Sequence, residues 1–377
     1  MSRFATVLSG GGARGAYQAG VVRALYEISA ELQNFSLFQT LCGVSAGAIN
    51  AASLASKAED LDLATSQLCD TWKNLKADEV FRTDYTSVTR NAMKLVRNLG
   101  FGPIAKKSVN QSLGLLNTQP LSHLITSNIE FDKIQPNIDA GRIHALTVTA
   151  TDYSTSLSVT FVQTHQDYKD WYSDNRLSQS AKLKTDHIMA SSAIPIFFPP
   201  VQVEGRYYGD GSLRNTAPLS PAIHLGADKI LVVGVRNWGQ VTLESKAKLN
   251  PSMGRVLSVL INAIFLDSIE SDLERLELIN QGLDKLKAAG IPSDLKPIRT
   301  LYIHPSEDLA TLAAQQREAL PLIIRYLFDG LGSTEESAEL LSYLLFEPYY
   351  CSQLVQLGLE DTYQQKARII EFLNSSS

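Results

Sequence analysis

The first 60 residues alternate between short apolar runs and stretches with helical spacing, and this alternation constrains the fold more than any other feature. Phe4–Leu8 is an apolar run that ends at the glycine-rich segment Ser9–Gly12, and apolar residues at helical spacing begin at Ala16. Phe38–Cys42 is a second apolar run, and the Ala- and Leu-rich stretch Ala46–Ala58 follows it. The order strand, loop, helix, strand, turn, helix predicts a parallel sheet with helices on its faces.

The rest of the chain predicts further strands, more helices and one soft boundary. Residues 60–130 have mostly helical patterns. Strand patterns return at Ile143–Ala150, Leu157–Val162 and Ile230–Val235. Farther on, Ser252–Gly290 has the pattern of one or two amphipathic helices, and Leu301–His304 has the pattern of a single strand. We therefore place a soft boundary near residue 240, between an α/β domain over residues 1–240, with a helical excursion at about 60–130, and a mostly helical region over 241–377.

Composition and charge narrow the class of protein. The chain has 377 residues, 44% of them apolar, which is ordinary globular composition, and its net charge of −5 does not favour a nucleic-acid partner. Its three cysteines, Cys42, Cys69 and Cys351, are too far apart for a disulfide framework or a CxxC zinc site. The first residues lack the pattern of a signal peptide, and no apolar stretch approaches the roughly 18 residues of a membrane span. We expect a cytoplasmic protein that is at most peripheral to a membrane.

A G-x-S-x-G pattern occurs where the second strand meets the second helix. Gly43-Val44-Ser45-Ala46-Gly47 follows an apolar run and precedes an Ala-rich helix. This is the strand–turn–helix setting of a nucleophile elbow, in which small residues permit a tight turn around an exposed serine. The same pattern also fits an ordinary turn in which Ser45 caps a helix, and the motif alone does not distinguish the two.

A glycine loop lies between the first strand and the first helix. Gly10, Gly12 and Gly15 satisfy G-x-G-x-x-G, the pattern of a dinucleotide-binding loop. That function also needs an acidic residue at the end of the second strand, and none stands there. The remaining alternatives are a loop whose backbone N–H groups bind an oxyanion, or a connection whose glycines serve close packing.

A serine nucleophile needs a base, and the chain offers two Asp-Gly pairs and six histidines. Asp329 follows an apolar helical run and is better explained as part of a helix end. Asp210 lies between glycines in Tyr207–Ser212, where it could project into a cleft or form a plain type I′ hairpin turn. His224 and His304 are the histidines whose order in the chain suits a Ser-Asp-His triad, but neither lies in a local motif.

Several segments together resemble the signature blocks of patatin-like phospholipases. The three main blocks are Gly10–Tyr17, Gly43–Gly47 and Asp210–Ser212, and they occur in the order typical of the family. Ala190–Pro200 resembles a fourth block, and Phe265–Arg275 is similar to bacterial members. Ser212 departs from the family, which more often has Gly or Ala at that position.

The resemblance implies a three-layer α/β/α sandwich of the patatin type, here with a mostly helical C-terminal extension. It implies hydrolysis of acyl esters of phospholipids or other lipids by a Ser-Asp dyad, with Ser45 as nucleophile and Asp210 as base, and without metal or cofactor. The implied elbow glycines are Gly43 and Gly47, and the implied oxyanion-binding residues are Gly10, Gly11, Gly12 and Arg14. Neither the oligomeric state nor the need for an activating partner follows from the resemblance.

A carboxylate is a weak base at its ordinary pKa near 4, so we expect a shielded site that raises the pKa of Asp210. The apolar side chains that could shield it, and could also bind an acyl chain, are Ile194, Ile196, Phe197 and Phe198. Plain core packing explains each of them equally well. Two other functions stay open: a non-catalytic lipid-binding or regulatory module on the same fold, and an NAD-dependent reductase.

A lipid hydrolase must reach its substrate at an interface, and one basic stretch suits weak peripheral contact with anionic lipid. This stretch, residues 94–107, contains Phe101 among the glycines and proline of Gly100–Pro103. Its cations are Lys94, Arg97, Lys106 and Lys107. The amphipathic helix from Ser252 is acidic in its second half, and we expect its apolar face to pack against the core.

Overall fold

One mixed sheet runs through the protein, as shown by a computed structural model that describes residues 3–82, 114–165, 168–237, 252–265, 267–320, 325 and 334–375. Its strands are β1 (Phe4–Leu8), β2 (Thr40–Val44), β3 (Ala145–Asp152), β4 (Ser158–Gln163), β5 (Tyr172–Ser173), β6 (Arg176–Ser180), β7 (Val201–Val203), β8 (Arg206–Asp210), β9 (Lys229–Val233) and β10 (Arg299–Ile303). The order is β10-β9-β1-β2-β3-β4-β6-β5, and β8 pairs with both β3 and β7. Strands β10 to β3 of this order are parallel, as predicted. The prediction of a parallel sheet is wrong beyond β3, where β4 and β8 run antiparallel to it.

The helices within the described residues cover both faces of the sheet. They are α1 (Gly15–Glu31), α2 (Ala46–Ser56), α3 (Leu61–Asn74), α4 (Ala77–Val80), α5 (Gln119–Asn128), α6 (Phe131–Asp139), α7 (Thr185–Ser191), α8 (Ser220–His224), α9 (Met253–Phe265), α10 (Asp267–Ala288), α11 (Leu309–Ala314), α12 (Thr334–Leu344), α13 (Pro348–Gln364) and α14 (Lys366–Asn374). The two helices predicted after β1 and β2 are confirmed as α1 and α2.

Alternate residues of the central strands supply the two cores of a three-layer sandwich. In β1, Leu8 packs on the side of α1, α2 and α13, whereas Val7 packs on the side of α8 and α10. All five residues of β1 are buried, which is typical of a strand covered on both faces. The predicted α/β/α sandwich is therefore confirmed.

The C-terminal region is mostly helical, as expected, yet it shares the core of the first 240 residues. Strand β10 extends the sheet by pairing with β9 in parallel register. Helix α13 packs along α1, and the hydroxyl of Tyr17 donates to Asp361 at 3.1 Å. The buried Lys229 of β9 donates to the carbonyl of Phe372 in α14 at 3.0 Å. The soft boundary near residue 240 therefore does not separate two cores.

The two surfaces considered for lipid contact differ in what the structure says of them. The basic stretch 94–107 lies outside the described residues. The expectation that the apolar face of the helix from Ser252 is buried is only partly right: Ile261 of α9 is buried, but Val256, Val259 and Leu260 are exposed. Within the described residues, no helix combines the length and apolar character needed to cross a bilayer.

Candidate active site

Ser45 stands on a sharp turn between β2 and α2. Its backbone has φ 55° and ψ −125°, a conformation that costs a non-glycine residue of order 1–3 kcal/mol. A Cβ at Gly43 would lie 2.4 Å from the carbonyl oxygen of Gly47, and one at Gly47 would lie 2.2 Å from that of Leu8. Only glycine fits at both positions. Ser45 precedes α2, but its side chain makes no capping hydrogen bond, which argues against the capping alternative.

The strained turn is held by a serine from another part of the chain. The N–H of Ser45 donates to Oγ of Ser191 at 2.8 Å, and that hydroxyl donates to the carbonyl of Thr149 at 2.6 Å. Ser191 ends α7 and is fully buried. It thus joins the serine turn to β3.

Asp210 lies beside Ser45 because β3 extends beyond the end of β2 and pairs there with β8, the strand that ends at Asp210. Val44, the last residue of β2, pairs with Thr149 of β3. Asp210, the last residue of β8, pairs with Ala150, the next residue of β3. Strand β4 pairs with the other edge of β3 at Ala150. Strand β8 therefore pairs with the same edge of β3 as β2, beginning at the residue after the one where β2 ends. The hairpin-turn alternative for Asp210 is wrong, because Asp210 ends a strand and caps the short 3₁₀ turn Gly211–Leu213.

The carboxylate of Asp210 is fully buried, and its pKa is raised to about 6. Loss of hydration is the dominant cause, because it disfavours the charged form. The N–H and hydroxyl of Ser212 and the hydroxyl of Ser45 act in the opposite direction and limit the rise. Oδ1 accepts the Ser212 N–H at 2.9 Å, and Oδ2 has no hydrogen bond of ordinary geometry within the described part of the chain. The group is therefore suited to accept a proton near neutral pH.

The glycine loop lies beside Ser45 at the carboxyl end of β1. Gly12 has φ +55°, and both Gly12 and Ser45 line the same cavity. Among hydrogen bonds between described residues, none uses the N–H groups of Gly10, Gly11 or Gly12. These N–H groups, and that of Ala46 at the start of α2, are the candidate donors for an oxyanion.

The prediction that Arg14 takes part in oxyanion binding is not supported by its contacts. Its backbone N–H donates to the carbonyl of Gly11 at 3.1 Å, and its guanidinium contacts helix α12 of the C-terminal region. There it bonds Ser342 and Glu339. The sequence could not indicate these partners because they lie more than 300 residues away.

A largely apolar cavity extends from Ser45 along one face of α2. It holds about 740 Å³ of empty space, part of it open to solvent. Ala46, Ile49, Ser53 and Lys57 recur every three or four residues and therefore form one stripe of its wall. Helix α2 and its C-terminal neighbour Lys57 give the stripe a length of about 16 Å. The other wall residues are Leu68, Thr71, Trp72, Leu75, Val80, Leu121, Leu124, Ile125, Asn128, Ile129, Ser192, Ile194, Phe198 and Phe346.

The four residues predicted to shield the site and bind an acyl chain separate into two groups. Ile194 and Phe198 line the cavity, and both are buried. Phe197 is buried but is not part of the wall. Ile196 is 52% exposed, so assigning it to an acyl pocket is wrong. Its loop turns it outward at φ +71°, which the apolar character of the segment does not indicate.

The alternatives with a histidine base or a dinucleotide find no support in these contacts. The ring of His224 stacks on Trp171, and a ring nitrogen of His304 contacts the carbonyl of Pro305. A Cβ at Gly15 would lie 2.7 Å from Ala46 and 2.9 Å from Trp72, so this glycine serves helix packing. In the residues that the structure describes, no group of three or more His, Cys, Asp or Glu side chains could hold a metal ion.

Comparison with known proteins agrees with the blocks of the sequence. The family model described as patatin-like phospholipase matches residues 6–223, and the chain therefore belongs to the patatin-like phospholipase family, a family of lipid hydrolases. No curated protein matches significantly. Among solved structures, the chain is similar to the crystal structure of VipD from Legionella pneumophila at 14% identity, with a TM-score of 0.32. The match covers 94% of this chain and 67% of that one.

Proposed function

We propose that this protein hydrolyses acyl esters of lipids, with Ser45 as the nucleophile and Asp210 as its base. The observation that carries the proposal is the contact between the strained Ser45 and a buried carboxylate whose pKa is about 6, at the end of an apolar cavity. A carboxylate with this pKa is ionised at neutral pH and still basic enough to accept a proton in the transition state.

In the first half of the reaction, Oγ of Ser45 attacks the ester carbonyl carbon while Asp210 takes the hydroxyl proton. The tetrahedral intermediate bears its negative charge on the former carbonyl oxygen, and the N–H groups of Gly10–Gly12 and Ala46 would bind that oxygen. The bond from carbon to the leaving oxygen then breaks, and the alcohol or lysolipid leaves with the proton from Asp210. The product on the enzyme is an acyl ester of Ser45.

In the second half, water attacks the acyl ester while Asp210 accepts one of its protons. Collapse of the second intermediate releases the fatty acid and returns the proton to Oγ of Ser45. The same oxyanion donors serve both steps, and no metal ion takes part.

The cavity along α2 supports a single extended acyl chain as the group held by the enzyme. Its wall is largely apolar, and Lys57 stands at the end of the α2 stripe that is farther from Ser45. A length of about 16 Å accommodates roughly a dozen carbons of an extended chain, given ordinary C–C bond lengths and angles.

The direct test is hydrolysis of p-nitrophenyl acyl esters and of phospholipid vesicles by the wild type and by Ser45→Ala. Turnover of acyl esters by the wild type, and none by a folded Ser45→Ala variant, is the expected result. A wild-type protein that binds vesicles but releases no fatty acid would instead be the non-catalytic lipid-binding module.

A further inference from the structure

Arg14 connects the glycine loop to a helix that lies far outside the residues matched by the family model. The guanidinium Nε donates to Oγ of Ser342 at 2.8 Å, and Nη2 donates to the same oxygen at 2.6 Å and to the carboxylate of Glu339. Nη1 donates to the carbonyl of Val235 at 3.4 Å. The guanidinium also lies 4.5 Å above the ring of Tyr343. We call Arg14, Glu339 and Ser342 the Arg14 cluster.

The Arg14 cluster is shielded from water. Arg14 is 2% exposed and Ser342 is fully buried, whereas the side chain of Glu339 retains 26% exposure. A buried guanidinium that lost its acceptors would be left with unpaired donors, which is costly. The interaction therefore holds α12 and the C-terminal part of the glycine loop, at Arg14, in one fixed arrangement.

Helix α12 also contacts the glycine loop directly. A Cβ at Gly12 would lie 2.2 Å from the carbonyl oxygen of Tyr343, so the backbones of the loop and the helix touch. Phe346, two residues beyond α12, lines the cavity that contains Ser45 and packs edge-on against Phe81. Helix α12 thus lies against the glycine loop, and the segment that follows it forms part of the cavity wall.

We propose that Glu339 and Ser342 are positioning residues for catalysis, which hold the oxyanion loop through Arg14. The proposal rests on the function proposed above, because it assigns the loop the role of oxyanion donor. Three successive glycines have a large conformational entropy when they are free, so their N–H groups point at one place only if neighbouring residues fix them. Donors fixed in advance stabilise the transition state without reorganising during the reaction.

A positioning role differs from a purely structural one in its kinetic signature. Negative charge on the carbonyl oxygen is absent from the bound ester and develops on the way to the tetrahedral intermediate, so a loosened loop lowers kcat and leaves KM nearly unchanged. A loss of stability alone lowers the melting temperature and leaves kcat unchanged at temperatures well below the transition.

The experiment compares Ser342→Ala and Glu339→Gln with Thr362→Val. Thr362 of α13 is also a fully buried C-terminal residue, and its hydroxyl donates to its own helix at the carbonyl of Gly358. Its removal matches the loss of one buried hydroxyl without contacting the loop. Each variant is assayed for kcat and KM on a p-nitrophenyl acyl ester, for the rate of modification by a fluorophosphonate, and for melting temperature.

We expect Ser342→Ala to lower both kcat and the rate of modification by about tenfold or more, with KM within about twofold of the wild type. Glu339→Gln keeps an oxygen acceptor and should show a smaller loss in the same direction. Thr362→Val should keep wild-type kcat whatever its melting temperature. Wild-type kcat in both Ser342→Ala and Glu339→Gln, with an active wild-type enzyme, would overturn the positioning role and leave the proposed function intact. A wild type that neither hydrolyses esters nor reacts with the fluorophosphonate would overturn the proposed function itself.

Discussion

Ser45 directly follows β2, Asp210 is the last residue of β8, and these two strands pair with one edge of β3 at consecutive positions. Val44 pairs with Thr149, the chain turns away at Ser45, and Asp210 pairs with the next residue, Ala150. The distance between hydroxyl and carboxylate is therefore set by strand register and not by a flexible loop. In the proposed mechanism, a base placed in this way needs no third residue to orient it, unlike the histidine of a triad, whose ring must be held in the correct tautomer.

The pH dependence of the reaction follows from the pKa of Asp210. Because the base must be ionised, kcat/KM should fall below about pH 6. The Ser212 hydroxyl lowers the pKa of Asp210, so Ser212→Ala should raise that pKa and move the acidic limb of the profile to higher pH. A pH–rate profile of both proteins measures the two limbs. Superimposable limbs, or a shift toward lower pH, would contradict the assignment of Asp210 as the titrating group.

The buried carboxylate should also make the fold less stable at high pH. Its pKa is raised from an ordinary value of 3.8 to about 6, so the folded state holds the proton more tightly than the unfolded state. Stability from this group is complete below pH 3.8 and is lost as the pH rises through about 6, a loss of about 3 kcal/mol.

Asp210→Asn cannot ionise and should escape this loss. Relative to its value at low pH, the stability advantage of the variant should be about 3 kcal/mol at pH 8 and about half that at pH 5. Urea unfolding at several pH values measures the difference. An advantage that does not change with pH, or that shrinks toward pH 8, would show that the pKa of Asp210 is not raised.

Chain-length preference should respond to the stripe of α2 residues in the cavity. Ser53 stands two turns beyond Ser45, and Ser53→Phe would block the cavity there. The preferred acyl chain should shorten from roughly twelve carbons to roughly eight. Rates on p-nitrophenyl esters of increasing length measure the preference. Ile196→Phe is the control, because Ile196 is exposed and its substitution should leave the preference unchanged. An equal effect of the two substitutions would show that the acyl chain does not bind in this cavity.

Much of the fold could be predicted from local sequence patterns, whereas the contacts between elements that are distant in the sequence could not. The elements β1, α1, β2 and α2 are visible because buried parallel strands and helices have distinct periods. The antiparallel pairing of β8 with β3 could not be predicted, because it depends on how far β3 extends beyond the last residue of β2. For the same reason the sequence does not distinguish a hairpin turn at Asp210 from the end of a strand.

The residues of the candidate site could be predicted from the sequence where they lie in short motifs. Ser45 and Asp210 lie in two of the family blocks, and Ser191, which holds the N–H of Ser45, lies within the fourth. The partners of Arg14 lie in no block, and nothing near Glu339 or Ser342 indicates that they contact a loop at the other end of the chain. Their position depends on tertiary packing alone.

Histidines should be dispensable for turnover. His224 stacks on Trp171 and His304 contacts the carbonyl of Pro305, both outside the site. His224→Ala and His304→Ala should therefore keep most of the wild-type kcat. Ser45→Ala, which removes only one oxygen atom, should reduce it to background. Steady-state kinetics on one acyl ester compares the three. A histidine variant as inactive as Ser45→Ala would mean that the protein uses a triad.

The central claim is that Ser45 is a nucleophile activated by Asp210, and covalent modification tests it most directly. Intact-protein mass spectrometry after exposure to a fluorophosphonate should show one adduct on the wild type, which peptide mapping assigns to Ser45. The adduct should form far more slowly on Asp210→Asn and not at all on Ser45→Ala. Absence of an adduct from the folded wild-type protein, an adduct on a different serine, or equal rates for the wild type and Asp210→Asn would contradict the claim.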